Sequence, residues 1–357
     1  MTPTHYIQKG KDMTETKLEE QKKSVLFNGK KETIYIRRAE ENDTPWIIRL
    51  IKACYGDVCS DPAMYDEDSL RKRFRLPGFE IYVAETEGRI IAMENCCPRE
   101  DFDGTLYLKN KMTDSKYRAC GIGSAVTKYL MQHCDFTLWN SVYAYALTYN
   151  SISQKSLIEY GFTMTGFAYN SFLKSQDAAG TEVNLPKRSH VIMVKNIGVR
   201  DVGILYIPRE LQPLAKQVYH NLKVTFKADE SVNMPAQKEE YRQKFSQLHE
   251  NLETWIEHPG TDLASLKKEA DCCYAKWPLF THQVYLNMCD SSAVWAYRKL
   301  VEQGFIFTGF KPLGQEKEYM VLYDSPGVPV YPGELCVHEQ FTAMKCEFAR
   351  FAEPKGR

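Results

Sequence analysis

Residues 161–167 read GFTMTGF, and residues 304–310 read GFIFTGF. Five of the seven letters agree at an offset of 143 residues. At that offset Lys155 matches Arg298, Leu157 matches Leu300 and Glu159 matches Glu302. The match predicts one structural unit written twice; the alternative is chance agreement of two strand starts. A chain of 357 residues accommodates two domains.

Composition bounds the partners. Lys plus Arg number 46, and so do Asp plus Glu. A balanced chain lacks the cationic excess that phosphate backbones demand, which argues against nucleic acid. No apolar run is long enough to cross a bilayer, and the polar opening segment lacks the apolar core of a signal peptide. No membrane partner and a cytoplasmic location are therefore expected. The 11 cysteines include the neighbours Cys96-Cys97 and Cys272-Cys273 but no CxxC. They read as reduced thiols used in packing, with no metal.

The first half reads β-α-α-β-β-β-α-β-α-β-β. ETIYIRRA alternates as a first strand, and Pro45 opens a helix that Gly56 stops. EIYVAETEGRIIAMENCC is two strands around a Glu87-Gly88 turn, and GTLYLKNKMTD is a third. GIGSAVTKYLMQHC has helical periodicity, SVYAYALT is a strand and SISQKSLIEY a short helix. GFTMTGFAYNSFLK and RSHVIMVK form a closing antiparallel pair. In the second half, residues 236–258 carry Tyr241, Phe245, Leu248, Leu252 and Trp255 at three-to-four spacing, which predicts one long helix. HQVYLNM, GFIFTGF and EYMVLYD are strands, and residues 333–351 a final helix. The expected division is a flexible arm over 1–32, a first domain over 33–197 and a second over 198–357.

One turn carries chemistry. Arg118, Ala119, Cys120, Gly121, Ile122, Gly123 and Ser124 lie between a strand and a helix. Arg-x-x-Gly-x-Gly lets backbone amides point into a concavity at a helix N-terminus, where the helix dipole favours an anion. This suits a pyrophosphate and is neither a Walker loop nor a dinucleotide fingerprint. A turn that merely tightens the strand-to-helix link is the alternative. Cys120 contributes its backbone N–H, and its thiol is incidental.

Arg118 to Gly123, followed by Asn150 and SISQKSLIEYGF, resembles the acetyl-CoA-binding core of the GNAT acyltransferase superfamily. The resemblance covers residues 34–195 and, more narrowly, is similar to two-domain bacterial members. It implies an α/β (α+β) fold with a mixed, mostly antiparallel sheet flanked by helices. It implies acetyl-CoA as co-substrate, with the loop on its pyrophosphate. The backbone at Met112 and Thr113, on a splayed strand, would hold the pantetheine arm, with Asn150 at its end. Shifted by 143 residues, the loop falls on TDLASL, which has neither the arginine nor the glycines. The second half thus reads as a GNAT-like repeat without its cofactor loop.

The resemblance implies direct acyl transfer to an amine. Many members carry a Tyr as general acid seven residues after the Asn; here that position is Leu157. Tyr160, one helical turn on, is the expected substitute, with Tyr149 and Tyr169 as further options. Glu94, on the strand before the splayed one, is the expected base. Asp57, Asp61, Asp66, Glu67 and Asp68 give the acceptor wall a negative cast suited to a cationic amine. The second half is expected to cover the acceptor side or to make a homodimer contact. An N-acetyltransferase acting on a small-molecule or peptide amine is the leading reading, and a non-catalytic acetyl-CoA sensor or scaffold the alternative.

Overall fold

The computed structural model describes residues 20–352 apart from 28–29, 57–60, 100–101, 174–186, 237, 314–316 and 329. Asp57, Cys59 and most of the polar loop in the last hairpin of the first half lie outside the described residues.

Strand β1 (Gln21–Phe27) precedes β2 (Lys30–Arg38) and pairs with it antiparallel, Gln21 opposite Ile36. This corrects the arm expected over 1–32: its last part is an edge strand. Helix α1 (Thr44–Tyr55) carries Pro45 in its first turn, buries Ile47, Leu50, Ile51 and Cys54, and stops at Gly56 with φ +58°. In α2 (Glu67–Phe74) the Asp66 carboxylate accepts from the Ser69 N–H at 2.8 Å. β3 (Glu80–Thr86) and β4 (Arg89–Arg99) meet at Glu87 and Gly88, both with positive φ, +47° and +71°. That is the conformation a two-residue hairpin turn demands. β5 (Phe102–Thr113), α3 (Ile122–His133), β6 (Ser141–Leu147), α4 (Ile152–Ile158), β7 (Thr163–Leu173) and β8 (Lys187–Asn196) complete the half.

In the second half, β9 (Arg200–Tyr206), α5 (Gln212–Asn221) and β10 (Val224–Asp229) form a small parallel unit of their own. Then come β11 (Glu240–Ser246), β12 (Asn251–His258), α6 (Ala264–Lys276), β13 (Thr281–Asn287), α7 (Ala293–Glu302), β14 (Ile306–Pro312) and β15 (Glu318–Asp324). Helix α8 (Thr342–Ala352) closes the described chain.

One sheet of 13 strands takes in both halves, in the order β1-β2-β3-β4-β5-β6-β8-β7-β14-β15-β13-β12-β11. The order reads alike from the centre outwards: β7, β8, β6, β5, β4 on one side and β14, β15, β13, β12, β11 on the other. β5 with β6 and β12 with β13 are the parallel pairs of this sheet, and each is bridged by a helix, α3 or α6. The second half thus repeats the strand order of the first from the centre outwards, as the matched heptapeptides predicted.

Two expected helices differ. Where one helix was expected over 236–258, residues 240–258 form the hairpin β11–β12. Tyr241, Phe245 and Leu248 are exposed, so their helical spacing has no core to face. Asn251, Leu252, Thr254, Trp255 and Ile256 are buried, the near-continuous burial of an inner strand covered on both faces. Pairing with β13 on one side and β11 on the other outweighs local periodicity. The last helix begins at Thr342, not near 333. The preceding segment straps across the first half instead: the Cys336 N–H donates to Thr148 O at 2.6 Å, and the His338 N–H to Gln154 Oε1 at 2.8 Å.

The heptapeptides meet at the centre of the sheet. Gly166 of β7 lies opposite Gly309 of β14. A Cβ on Gly166 would stand 2.4 Å from the Gly309 Cα, and one on Gly309 2.6 Å from the Gly166 Cα. The Thr-Gly-Phe match is therefore a packing constraint written on both sides of one seam. α8 lies across it, with the Phe348 ring 6.0 Å from Phe167 and 6.0 Å from Phe307. Lys187 ties β8 to the other half, donating to Glu250 O, Leu279 O and Thr281 Oγ1 at 2.9–3.2 Å.

Around this junction His190 and His282 are buried and His249 is half-buried. Burial lowers His190 and His282 to about 3 and His249 to about 4. The native state keeps them neutral, whereas the unfolded chain takes up protons below its ordinary value of about 6.5. Stability is then complete above pH 6.5 and falls as pH drops toward 4, each ring costing roughly 1.4 kcal/mol for every tenfold rise in proton concentration. Melting temperatures measured from pH 7.5 to 4.5 check this. A flat profile would mean that the three rings are solvated.

Candidate active site

β5 and β6 pair from Thr105 opposite Ser141 to Leu108 opposite Ala144, and no further. Beyond that point Lys109–Thr113 pair only with β4, Met112 opposite Met93 and Thr113 opposite Ala92. The strand edge at Met112 and Thr113 is thus left open toward β6, a groove where an extended chain could add as a strand. Lys111 reaches across the mouth of this gap, its Nζ 3.1 Å from Ser156 Oγ on α4.

The loop after β5 turns back on itself. Arg118 Nε donates to Thr113 O at 3.3 Å. Ala119 and Gly121 take left-handed φ of +62° and +69°, and α3 starts at Ile122 with no side-chain cap. Amides in the first turn of a helix have no partner within it, so those of residues 121–124 are directed outwards. A Cβ at Gly123 would lie 3.0 Å from Thr113 Oγ1, so glycine keeps strand and helix close. Together these features fit a pyrophosphate cradle at a helix N-terminus. Cys120 sits within the loop, half-buried against the core. Asn150 lies at the start of α4, where its Oδ1 accepts from the Ile152 N–H at 3.0 Å.

Sequence reasoning missed Lys23. From β1 its ammonium donates to Gly121 O at 2.9 Å and Cys120 O at 3.3 Å, adding a cation to the loop. The available signal was Asn28-Gly29, a hairpin dipeptide between two strand-like runs.

Glu94 stands at an irregularity of β4, where the register against β5 slips between Met93 and Asn95. It is 3% exposed and lines the cleft described below. Burial raises its carboxyl above the ordinary range; Lys111 nearby and a hydrogen bond from Thr127 Oγ1 oppose that shift. A buried carboxyl facing the cleft is placed as a candidate for proton abstraction.

The structure separates Leu157 from Tyr160. Leu157 lines the cleft, whereas Tyr160 follows the end of α4, half-buried against the core, with its phenol pushed up by burial. Tyr169 is buried and pushed far up by desolvation, and Tyr149 stacks with the Arg188 guanidinium at 5.6 Å. Of the cleft tyrosines Tyr55, Tyr107 and Tyr145, none singled out from the sequence, Tyr145 lies on β6 just past the splay. Its hydroxyl lies 2.9 Å from Lys311 Nζ on β14.

This cleft encloses about 980 Å³. It runs from the β5–β6 splay, past Glu94 and Arg188, to Lys244, His249 and Gln283 of the second half. Its acidic wall is not free for a cation. Asp61 is clasped by Arg73 at 2.6 Å and Lys109 at 2.7 Å, Asp66 caps α2, and Glu67 pairs with Arg71 at 2.8 Å. Of the acidic residues expected to give this wall a negative cast, Asp61, Asp66 and Glu67 are thus engaged within the protein.

Among the described residues, Glu80, Cys96 and Cys134 bring three ligand-type atoms within 4.8 Å of one another. Arg38 already lies 3.1 Å from the Glu80 carboxylate, and the two sulfurs are 3.6 Å apart. Among the described residues no helix is long and apolar enough to cross a membrane.

Residues 47–157, from α1 through the cradle to α4, match the acetyltransferase (GNAT) family. The chain therefore carries a GNAT acetyltransferase domain in its first half. Solved structures similar to it include the ribosomal-protein-S18-alanine N-acetyltransferase of Escherichia coli, at 14% identity and a TM-score of 0.36, covering 46% of this chain and 95% of that one. A ribosomal-protein-alanine N-acetyltransferase of Brucella melitensis shows 22% identity and a TM-score of 0.35, over 45% of this chain and 99% of its own. A putative acetyltransferase of Salmonella typhimurium, solved with its cofactor acetyl-CoA, shows 15% identity and a TM-score of 0.37, over 46% of this chain and 94% of its own. None of the curated proteins compared matches the chain.

Proposed function

We propose that the protein transfers an acetyl group from acetyl-CoA to a primary amine by direct attack, with residues 33–197 as the working unit and 198–357 as a repeat that has lost its cofactor loop. The observation that carries this reading is the open β5 edge at Met112 and Thr113, continuous with the Arg118–Ser124 cradle. Acetyl-CoA supplies the acyl group as an activated thioester. The amides of residues 121–124, with Lys23 and Arg118 beside them, hold its pyrophosphate, and Asn150 flanks the far end of the groove. Glu94 takes the ammonium proton, so that the nitrogen lone pair can attack. Tyr145 supplies the proton to the departing sulfur, and Lys311 offsets the charge left on its oxygen. The chain otherwise acts by alignment, worth about 7–11 kcal/mol in favourable cases.

Thiol release from acetyl-CoA with a panel of amines tests the reading. Glu94→Gln lowers kcat by roughly 10²- to 10⁴-fold with acetyl-CoA affinity unchanged. Tight binding without release above the water background would instead favour a sensor, the role that Leu157 at the usual tyrosine position leaves in view.

A further inference from the structure

The acceptor side of the cleft is built from both halves, and its chemistry is not that of a site for a simple cationic amine. We propose that the acceptor amine carries a carboxylate, and that the second half binds that carboxylate. Its role as acyl acceptor rests on the acyl-transfer reading; the carboxylate site does not.

Charge is the first observation. The cations lining the cleft are Arg73, Lys109, Lys111, Arg188 and Lys244. The carboxylates are Asp61, Glu94 and Glu253. Asp61 is shared by two of the cations, and burial moves Glu94 toward its neutral form. Among the described residues the surplus is positive however Glu94 titrates. A polyamine would enter against like charge.

Neutral donors are the second observation. Gln283 of β13 is 2% exposed, and its Nε2 has no acceptor among the described residues. Its Oε1 lies 3.0 Å from the Tyr285 hydroxyl, which fixes the amide with its NH₂ group on the other side. Both ring nitrogens of His249 are also without a partner among the described residues, and the ring is held 4.7 Å from Phe172 of the first half. Burial keeps that imidazole neutral, so it contributes one N–H without adding charge. A buried donor without an acceptor is costly to leave unmade, and a carboxylate offers about four acceptor sites to a set of donors of this kind. One planar, singly charged group thus suits a wall made of an amide, an imidazole and cationic side chains.

Position is the third. Glu94 stands on the first half and Gln283 and His249 on the second, facing one continuous cleft. An amine placed at Glu94 has its remainder directed toward the second half. The repeat kept its sheet and lost its cofactor loop because its service is at the acceptor end.

Calorimetric titration of the full chain with the N-acetyl amino acids and their matched carboxamides tests this, with acetyl-CoA titrated in parallel. The expected result is an acid that binds at least tenfold more tightly than its amide. Lys244→Ala, a change on the exposed edge strand, narrows that gap, and Gln283→Leu narrows it further if folded. Equal binding of every acid and amide pair overturns the proposal, as does preference for the amides or for polyamines. Acid-selective binding without any binding of acetyl-CoA keeps the carboxylate site and removes the acyl-transfer reading alone.

Discussion

Replacing Gly166 by valine removes about 3 kcal/mol or more from the stability of the whole chain, at the upper end of overpacking effects. The reason is the seam. The new Cβ would stand 2.4 Å from the Gly309 Cα and 2.6 Å from Thr308 O, both backbone atoms with no rotamer to change. The strands β7 and β14 must part, and with them the contacts of Phe167 and Phe307 with α8. Equilibrium urea unfolding measures the loss. Gly198→Ala is the control: its φ is +79° with nothing within 4 Å, so it shows backbone strain alone, about 1–2 kcal/mol. If the two variants lose the same stability, the close approach at the seam is not the cause.

Gly121→Glu reduces acetyl-CoA affinity by at least about 100-fold, the size expected when a like charge enters a site built for an anion. Gly121 has φ +69°, and a Cβ there would lie 3.1 Å from Lys23 Nζ. The new carboxylate therefore draws Lys23 to itself and occupies the space over the α3 N-terminus. Strain at a left-handed non-glycine residue also disturbs the first turn, whose amides do the binding. Calorimetry on a variant with unchanged circular dichroism checks this. Unchanged affinity in that folded variant removes the cradle from the cofactor site.

Much of the first half was legible because its signals are local. Pro45, the Glu87-Gly88 turn and the glycine spacing at Gly121 and Gly123 each act within a few residues. The seam was half legible: GFTMTGF and GFIFTGF announced a repeat, but not that the copies touch. What stayed hidden depends on partners far away in sequence. Tyr241 to Trp255 have helical spacing, and only β13 makes them a hairpin. Lys23 joins the cofactor loop through β1, and Tyr145 meets Lys311 across 166 residues. The sign of the acceptor wall was misread for the same reason. Asp61 looks like an open anion until Arg73 and Lys109 fold onto it.

The seam has a consequence for how the two copies diverge. A symmetric dimer is one gene written twice in space, so any change at its contact, good or bad, occurs on both sides. Here Gly166 and Gly309 are separate codons, and the two copies are held at a fixed high effective concentration by one backbone. One copy can shed a ligand loop without risking dissociation, and the other is spared the compensating change. The duplicate allows inheritable asymmetry: a partner that never leaves and need not do the same work.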